Sequence, residues 1–192
     1  MHEIVAAAAA CGVSPIVRVA EGQHWMIKRA PDSGAHGVLV PMIETVDDAR
    51  RVVEYSKFPP RGKRGFEALL AVDKLASTAA PDGEVKQLSG MEYLQQADES
   101  LVIAVQIETK GAVQKVDAIV AIDGIDVLFI GPFDLSVNMG CPISSADEAG
   151  YAPELRDAIQ VVYEAGRKNG KAAGFIVILA RRGGNTRREA FR

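Results

Sequence analysis

The chain has 192 residues, of which 48% are apolar and 24% are charged, and its mean hydropathy is +0.06. This composition is typical of a globular protein and excludes a disordered chain, and no apolar run approaches the roughly 18 residues of a membrane span. The net charge of −3 and the pI of about 5.7 give no general reason to expect nucleic acid as a partner.

The predicted elements alternate along the chain between segments of helical period and short apolar runs rich in β-formers. In chain order they are a helix that ends at Gly12, a strand over 15–20, a helix over 24–33, a strand over 37–43, a helix over 45–55, a helix over 90–98, a strand over 101–108, a helix over 110–122, a strand over 127–131, a helix over 153–169 and a strand over 171–178. Residues 57–89 contain several Pro and Gly residues, which predicts a functional loop with short helical pieces.

The five predicted strands are nearly continuous apolar runs. Such runs are typical of a parallel sheet that helices cover on both faces, so we expect an α/β fold. Residues 1–179 are expected to form one domain. Residues 180–192 contain five arginines and one glutamate, and we expect them to form a basic, disordered tail, with contact to phosphate or RNA as the alternative.

The two cysteines, Cys11 and Cys141, lie far apart in the sequence and outside any C-x-x-C pair. This usage predicts reduced thiols in an intracellular protein. The first residues carry Glu3 and lack a basic segment, so a signal peptide is not expected. We therefore expect a cytoplasmic protein that has no membrane segment.

Polar residues stand at the ends of three predicted strands. Arg18 ends the first, Gln106 and Glu108 end the strand over 101–108, and Asp134 follows the strand over 127–131. Carboxylates at neighbouring strand ends of a parallel sheet fit a Mg²⁺ site, since Mg²⁺ takes one or two protein carboxylates and leaves positions for water or substrate. Two alternatives stay open: a helix N-terminal carboxylate for Glu108, and the N-cap of a short turn for Asp134.

Four stretches carry a resemblance to a known family, and it extends over about residues 16–178. They are VLVPMIETVDDAR, FPPRGKRG, VQIET and FIGPFDLSVNMG. They resemble the HpcH/HpaI aldolase/citrate lyase family, and within it the class II aldolases that cleave 4-hydroxy-2-oxo acids into pyruvate and an aldehyde. The resemblance implies a (β/α)₈ barrel of the TIM type and a small-molecule 2-oxo acid as substrate. It also implies a divalent metal, Mg²⁺ or Mn²⁺ with Co²⁺ as a substitute, and a homo-oligomer.

The resemblance also implies roles for individual residues. Glu108 and Asp134 would bind the metal. Gln106, Pro132 and Phe133 would contact pyruvate or metal-bound water. The implied catalytic residues are Arg18, which would polarise the keto oxygen, and Asp32, which would support a catalytic histidine.

The sequence departs from the family pattern in two respects. None of its histidines, His2, His24 and His36, falls on the position of the family's general base. Five strands account for only part of an eight-stranded barrel, so we expect the first strands and the last βα unit to be missing, with open sheet edges that favour association. The alternative function is thus an impaired barrel fragment that binds metal or a 2-oxo acid, or associates with a full-length relative, without turnover.

Overall fold

The computed structural model describes residues 1–66, 89–145 and 148–175. The described elements are α1 (His2–Ala10), β1 (Ile16–Arg18), α2 (His24–Asp32), β2 (Gly37–Ile43), α3 (Val46–Ser56), α4 (Gly90–Ser100), β3 (Val102–Ile107), α5 (Lys110–Gln114), α6 (Val116–Val120), β4 (Val127–Ile130), α7 (Pro132–Asn138), a 3₁₀ turn (Glu148–Gly150), α8 (Pro153–Lys168) and β5 (Ala172–Phe175). The predicted tail over 180–192, most of the predicted loop over 57–89 and the end of the last predicted strand lie outside the described residues.

All five described strands belong to one parallel sheet, in the order β1-β2-β3-β4-β5. Each strand therefore pairs with its neighbour in sequence, and a helical connection joins each pair, which is the repeat from which a (β/α) barrel is built. Within the described residues no pairing joins β1 to β5, so the sheet is an open arc. The predicted parallel α/β architecture and its five strands are confirmed.

The pairing of β2 with β3 contains one irregularity. Val40 lies opposite Val105, but Ile43 lies opposite Ile107, so β2 holds one residue more than β3 over this stretch. This is the count of a β-bulge, which bends a strand locally and turns its backbone groups in new directions.

Helix boundaries follow from local hydrogen bonding. Helix α3 begins with a capping box, in which the Thr45 hydroxyl accepts from the Asp48 N–H at 3.1 Å and the Asp48 carboxylate accepts from the Thr45 N–H at 2.8 Å. The prediction of one helix over 110–122 is wrong. The Lys115 N–H bonds to the carbonyl of Ala112, three residues back, and the backbone turns there before α6 begins.

One apolar core lies between the sheet and its covering helices. Strand side chains such as Val38, Val105 and Leu128 are fully buried, and Ile27 of α2 and Leu155 of α8 pack against them from the helical layer. Because both faces of the central strands are covered, their sequences are apolar throughout rather than alternating. None of the described helices has the length and apolar character needed to cross a membrane.

The sheet has two distinct edges. The strands end together at what we call the carboxyl edge, and the helices return the chain to the opposite, amino edge. A bond at the amino edge illustrates the arrangement: the His36 N–H donates to the Pro15 carbonyl at 2.8 Å, and both residues directly precede strands. The C-terminal residue of a covering helix thus lies at the amino edge, far from the carboxyl ends of the strands.

Candidate active site

A chain of hydrogen bonds crosses the carboxyl edge from β1 to β3. The Arg18 Nε donates to Gln106 Oε1 at 3.1 Å, and Gln106 Nε2 donates to Glu108 Oε2 at 2.5 Å. Arg18 is exposed, whereas Gln106 and Glu108 are 6% and 1% exposed. Since both ends of the Gln106 amide are bonded, its orientation is set, and it links an exposed guanidinium to a buried carboxylate.

The other oxygen of Glu108 is bonded by the irregular strand β2. The Met42 N–H donates to Glu108 Oε1 at 2.7 Å. Met42 has a φ of 55°, a left-handed conformation that is strained for a residue with this side chain. The bulge in β2 therefore places a backbone donor on the buried carboxylate, and the Met42 side chain points outward with 57% exposure.

Gly131, directly after β4, provides the space in which these groups lie. A Cβ at this position would fall 2.4 Å from Glu108 Oε2 and 2.8 Å from Gln106 Nε2. No side chain fits at such distances, so the site requires glycine for close approach of the backbone.

The charge on Glu108 is unfavourable in this environment. Burial raises the pKa of the Glu108 carboxyl above its ordinary value, the Met42 hydrogen bond opposes this rise, and the neighbouring Asp134 carboxyl raises the pKa further. Asp134 itself is exposed and lies in the first turn of α7. Two carboxylates thus face each other at the carboxyl edge, one of them nearly inaccessible to water.

The donor set fits a hard divalent cation. Two carboxylates of this kind are what Mg²⁺ and Mn²⁺ take from a protein, and a cation between them would offset both the burial and the mutual repulsion. The described residues contain no group of three or more His, Cys, Asp or Glu side chains spaced to hold a metal ion. A cation held by Glu108 and Asp134 would take water or substrate in its remaining positions.

Neither carboxylate acts as a helix cap in the described hydrogen bonds. Gly131, not Asp134, is the N-cap of α7. Helix α5 is capped by Thr109, whose hydroxyl accepts from the Ala112 N–H at 3.0 Å, and Glu108 bonds instead to Met42 and Gln106. Neither carboxylate is thus used up in capping a helix.

The remaining predicted substrate contacts lie beside Asp134. Pro132 is buried at the first position of α7, and Phe133 is 40% exposed. Their position at the end of β4 agrees with the predicted location, and their contact with a substrate stays a prediction.

Asp32 is not brought to this cluster. It ends α2 and therefore lies at the amino edge, where Arg64 donates to its Oδ1 from Nη2 at 2.8 Å and Lys28 donates to its Oδ2 at 2.6 Å. Arg64 is 1% exposed and stacks on Phe58, with its Cζ 4.4 Å from the ring centroid. Asp32 belongs to a partly buried ion-pair cluster, and among the described residues no contact joins it to Arg18 or Glu108. Its catalytic role stays a prediction.

The histidines also lie apart from the described contacts of the cluster. His24 begins α2 at the carboxyl edge, and its ring packs 4.7 Å from that of Tyr55. His36 lies at the amino edge, and His2 begins α1. No described hydrogen bond joins any of the three to Arg18, Gln106, Glu108 or Asp134.

Two residues of the site were missed by the sequence reasoning. Gly131 lies inside the recognised FIGPFDLSVNMG stretch, and a glycine directly after an apolar strand was an available signal of close backbone approach. Met42 itself gave no such signal, because its role uses only the backbone N–H. The preceding Pro41 did, since a proline inside a strand indicates an edge strand or a bulge.

Comparison with known proteins identifies the family. The model of the family HpcH/HpaI aldolase/citrate lyase matches residues 1–192, and the chain belongs to this family. It is 40% identical over 164 residues to a 2-keto-3-deoxy-L-rhamnonate aldolase of Salmonella gallinarum, an alignment that covers 85% of the chain and 55% of the relative. The chain thus spans little more than half the length of this relative.

Solved structures give the same result for the fold. The HpcH/HpaI aldolase of Desulfitobacterium hafniense superposes with a TM-score of 0.77 at 27% identity and covers 94% of this chain and 63% of its own. A family protein from Burkholderia cenocepacia gives a TM-score of 0.73 at 32% identity, with coverage of 91% and 63%. The predicted TIM-barrel type and the predicted family are confirmed. The family is one of lyases, and its class II aldolases generally depend on a divalent metal.

Proposed function

We propose that the chain is a metal-dependent aldolase that cleaves a 4-hydroxy-2-oxo acid into pyruvate and an aldehyde. The observation that carries the proposal is the buried Glu108 carboxylate, which faces Asp134 and is linked through Gln106 to Arg18. Such an arrangement gathers a cation site and an anion-binding guanidinium at one strand edge, as an acid substrate requires.

The reaction makes a defined demand on these residues. The C3–C4 bond breaks, the proton of the 4-hydroxyl leaves to form the aldehyde, and the electron pair remains on C3 as an enolate that later takes up a proton. Mg²⁺ or Mn²⁺ held by Glu108 and Asp134 would supply Lewis-acid stabilisation of the enolate oxygen. Arg18 would add a charge-assisted hydrogen bond to the same anion, and Gln106 would hold the Arg18 guanidinium in place.

The test is the release of pyruvate from a 4-hydroxy-2-oxo acid with Mg²⁺ or Mn²⁺ present. Glu108→Gln should lose several powers of ten in rate, since it removes the buried charge opposite Asp134. The matched control is Glu99→Gln, which removes an exposed carboxylate that pairs with Arg61 far from the carboxyl edge. Absence of pyruvate above blank at high protein concentration would overturn the proposal.

A second candidate is a barrel that binds metal and 2-oxo acid without turnover. The observation that favours it is the lack of any described contact between a histidine and the cluster, which leaves the 4-hydroxyl proton without an assigned acceptor. Thermal stabilisation by Mg²⁺ plus pyruvate in a chain that releases no pyruvate would support this candidate. The homo-oligomer and the cytoplasmic location stay predictions in both cases.

A further inference from the structure

A groove adjoins the candidate active site at the carboxyl edge. It has a volume of about 470 Å³, within the range of small-molecule sites. It lies between the segment that follows β1, the end of β2 and helix α3. Residues that line it include Glu21, His24, Met42, Glu44, Arg51 and Tyr55.

The walls of the groove come from the same strands as the active-site residues. Glu21 follows Arg18 by three residues, and Met42 lines the groove with its side chain while its N–H bonds to Glu108. The other end of this wall is fixed to β3, because the Thr109 hydroxyl donates to the Ile43 carbonyl at 3.1 Å. The groove and the Glu108–Asp134 pair are therefore neighbouring parts of the same edge of the sheet.

The charge of the groove is negative. Asp48 and Arg51 neutralise each other across 2.5 Å, but within the described part of the chain Glu21 and Glu44 have no ion pair. Lys115 approaches only the backbone of Glu44, donating to its carbonyl oxygen at 3.3 Å. The other end of the site would attract anions, because the Arg18 guanidinium lies there beside the proposed cation on Glu108 and Asp134.

The groove also offers groups that bind hydroxyls. The two carboxylates accept hydrogen bonds, and the first turn of α2, which begins at the groove, has no side-chain cap on its N–H groups. The His24 and Tyr55 rings contact each other, with centroids 4.7 Å apart and planes tilted by 39°, and form an aromatic part of the wall. A neutral, hydroxylated chain can use all of these groups, whereas a second carboxylate would meet Glu21 and Glu44.

We propose that Glu21 and Glu44 determine specificity, so that the aldehyde half of the substrate is a neutral hydroxyaldehyde and one bearing a carboxylate is rejected. The inference rests on the proposed aldolase function. It assigns the 2-oxo acid end of the substrate to Arg18 and the cation, and the aldehyde end to the groove.

The test compares two substrates with the same five-carbon skeleton, 4,5-dihydroxy-2-oxopentanoate and 4-hydroxy-2-oxoglutarate. They differ only at C5, which is a hydroxymethyl group in the first and a carboxylate in the second. With Mg²⁺ present, kcat/KM for the neutral substrate should exceed that for the dicarboxylate by about tenfold or more. The reason is that Glu21 and Glu44 repel the C5 carboxylate, and a repulsion of this kind in a partly solvated site has about this effect.

Matched variants assign the effect. Glu21→Gln and Glu44→Gln should each raise kcat/KM for the dicarboxylate, relative to kcat/KM for the neutral substrate, roughly threefold, and the double variant should raise this ratio about tenfold. Glu99→Gln, at the amino edge, should leave the ratio unchanged. A wild-type ratio near one, or a ratio that the double variant does not change, would refute the specificity role while leaving the aldolase function intact.

Titration with pyruvate and Mg²⁺ separates the two proposals if cleavage is not observed. Binding of pyruvate without turnover overturns the proposed aldolase activity, and the affinities of the two five-carbon acids then test the groove by the same ratio. No binding of pyruvate, with no cleavage, overturns both.

Discussion

The close approach at Gly131 yields a sharp test of the active-site geometry. In Gly131→Ala the new methyl group would lie 2.4 Å from Glu108 Oε2 and 2.8 Å from Gln106 Nε2, against an ordinary contact of about 3.4 Å. One or both side chains must move by about 1 Å, which breaks the bond of 2.5 Å between them. Leaving a buried carboxylate with one partner fewer costs about 1–3 kcal/mol of stability.

The effect on turnover should be larger than the effect on stability. A displacement of about 1 Å in a positioned group lowers rates by on the order of 100-fold. The assays are urea unfolding and pyruvate release with saturating Mg²⁺. The control is Gly170→Ala, which places a Cβ at a φ of 66° in open space, between α8 and β5; it should lose stability by about 1 kcal/mol and keep its activity per folded molecule. Wild-type activity in Gly131→Ala would refute the assigned geometry.

Three further predictions concern Met42, Arg64 and His36. Met42→Gly keeps the N–H donor and removes the strain at φ 55°, so activity should stay within about twofold, whereas Met42→Val should lower the free energy of unfolding by about 1–2 kcal/mol; equal stability of the two variants would contradict this. Arg64→Met should lower the free energy of unfolding by about 2–4 kcal/mol, because Asp32 then keeps only its ion pair with Lys28. Kinetics on the folded fraction should show an unchanged KM for the 2-oxo acid. Burial lowers the pKa of His36 below 6.5, so the unfolded chain takes up the proton at a higher pH than the folded chain. The free energy of unfolding should therefore fall as the pH drops through 6.5 and level off below the pKa of the folded state. In urea titrations, His36→Gln should flatten this dependence on pH.

The sequence was sufficient for the sheet and for the two carboxylates. Buried parallel strands are apolar on both faces, so the apolar runs at β2, β3 and β4 could be recognised as strands from the sequence alone. The same physics makes a charged residue at the end of such a run conspicuous, which is why Glu108 and Asp134 could be identified. Their meeting at one edge then follows from the parallel direction of the strands.

The sequence was insufficient where orientation depends on tertiary contacts. Asp32 occupies a motif position that the family resemblance linked to catalysis, but the direction of α2 carries it to the amino edge and to Arg64. The break at Lys115 likewise has no marker such as Pro or Gly in the sequence. Local patterns describe which residues face inward, and they do not report where a helix end docks.

The bulge in β2 explains how residues from two non-adjacent strands join in one site. Arg18 lies on β1 and Glu108 follows β3, so β2 stands between them. Pro41, the residue after Val40, has no N–H and therefore donates no hydrogen bond to the ladder. The extra residue before Ile43 places the Met42 N–H on Glu108, whose other oxygen accepts from Gln106, the hydrogen-bond partner of Arg18. The strain at Met42 is therefore tied to the bonding of the buried carboxylate, which accounts for a left-handed methionine at the centre of the site.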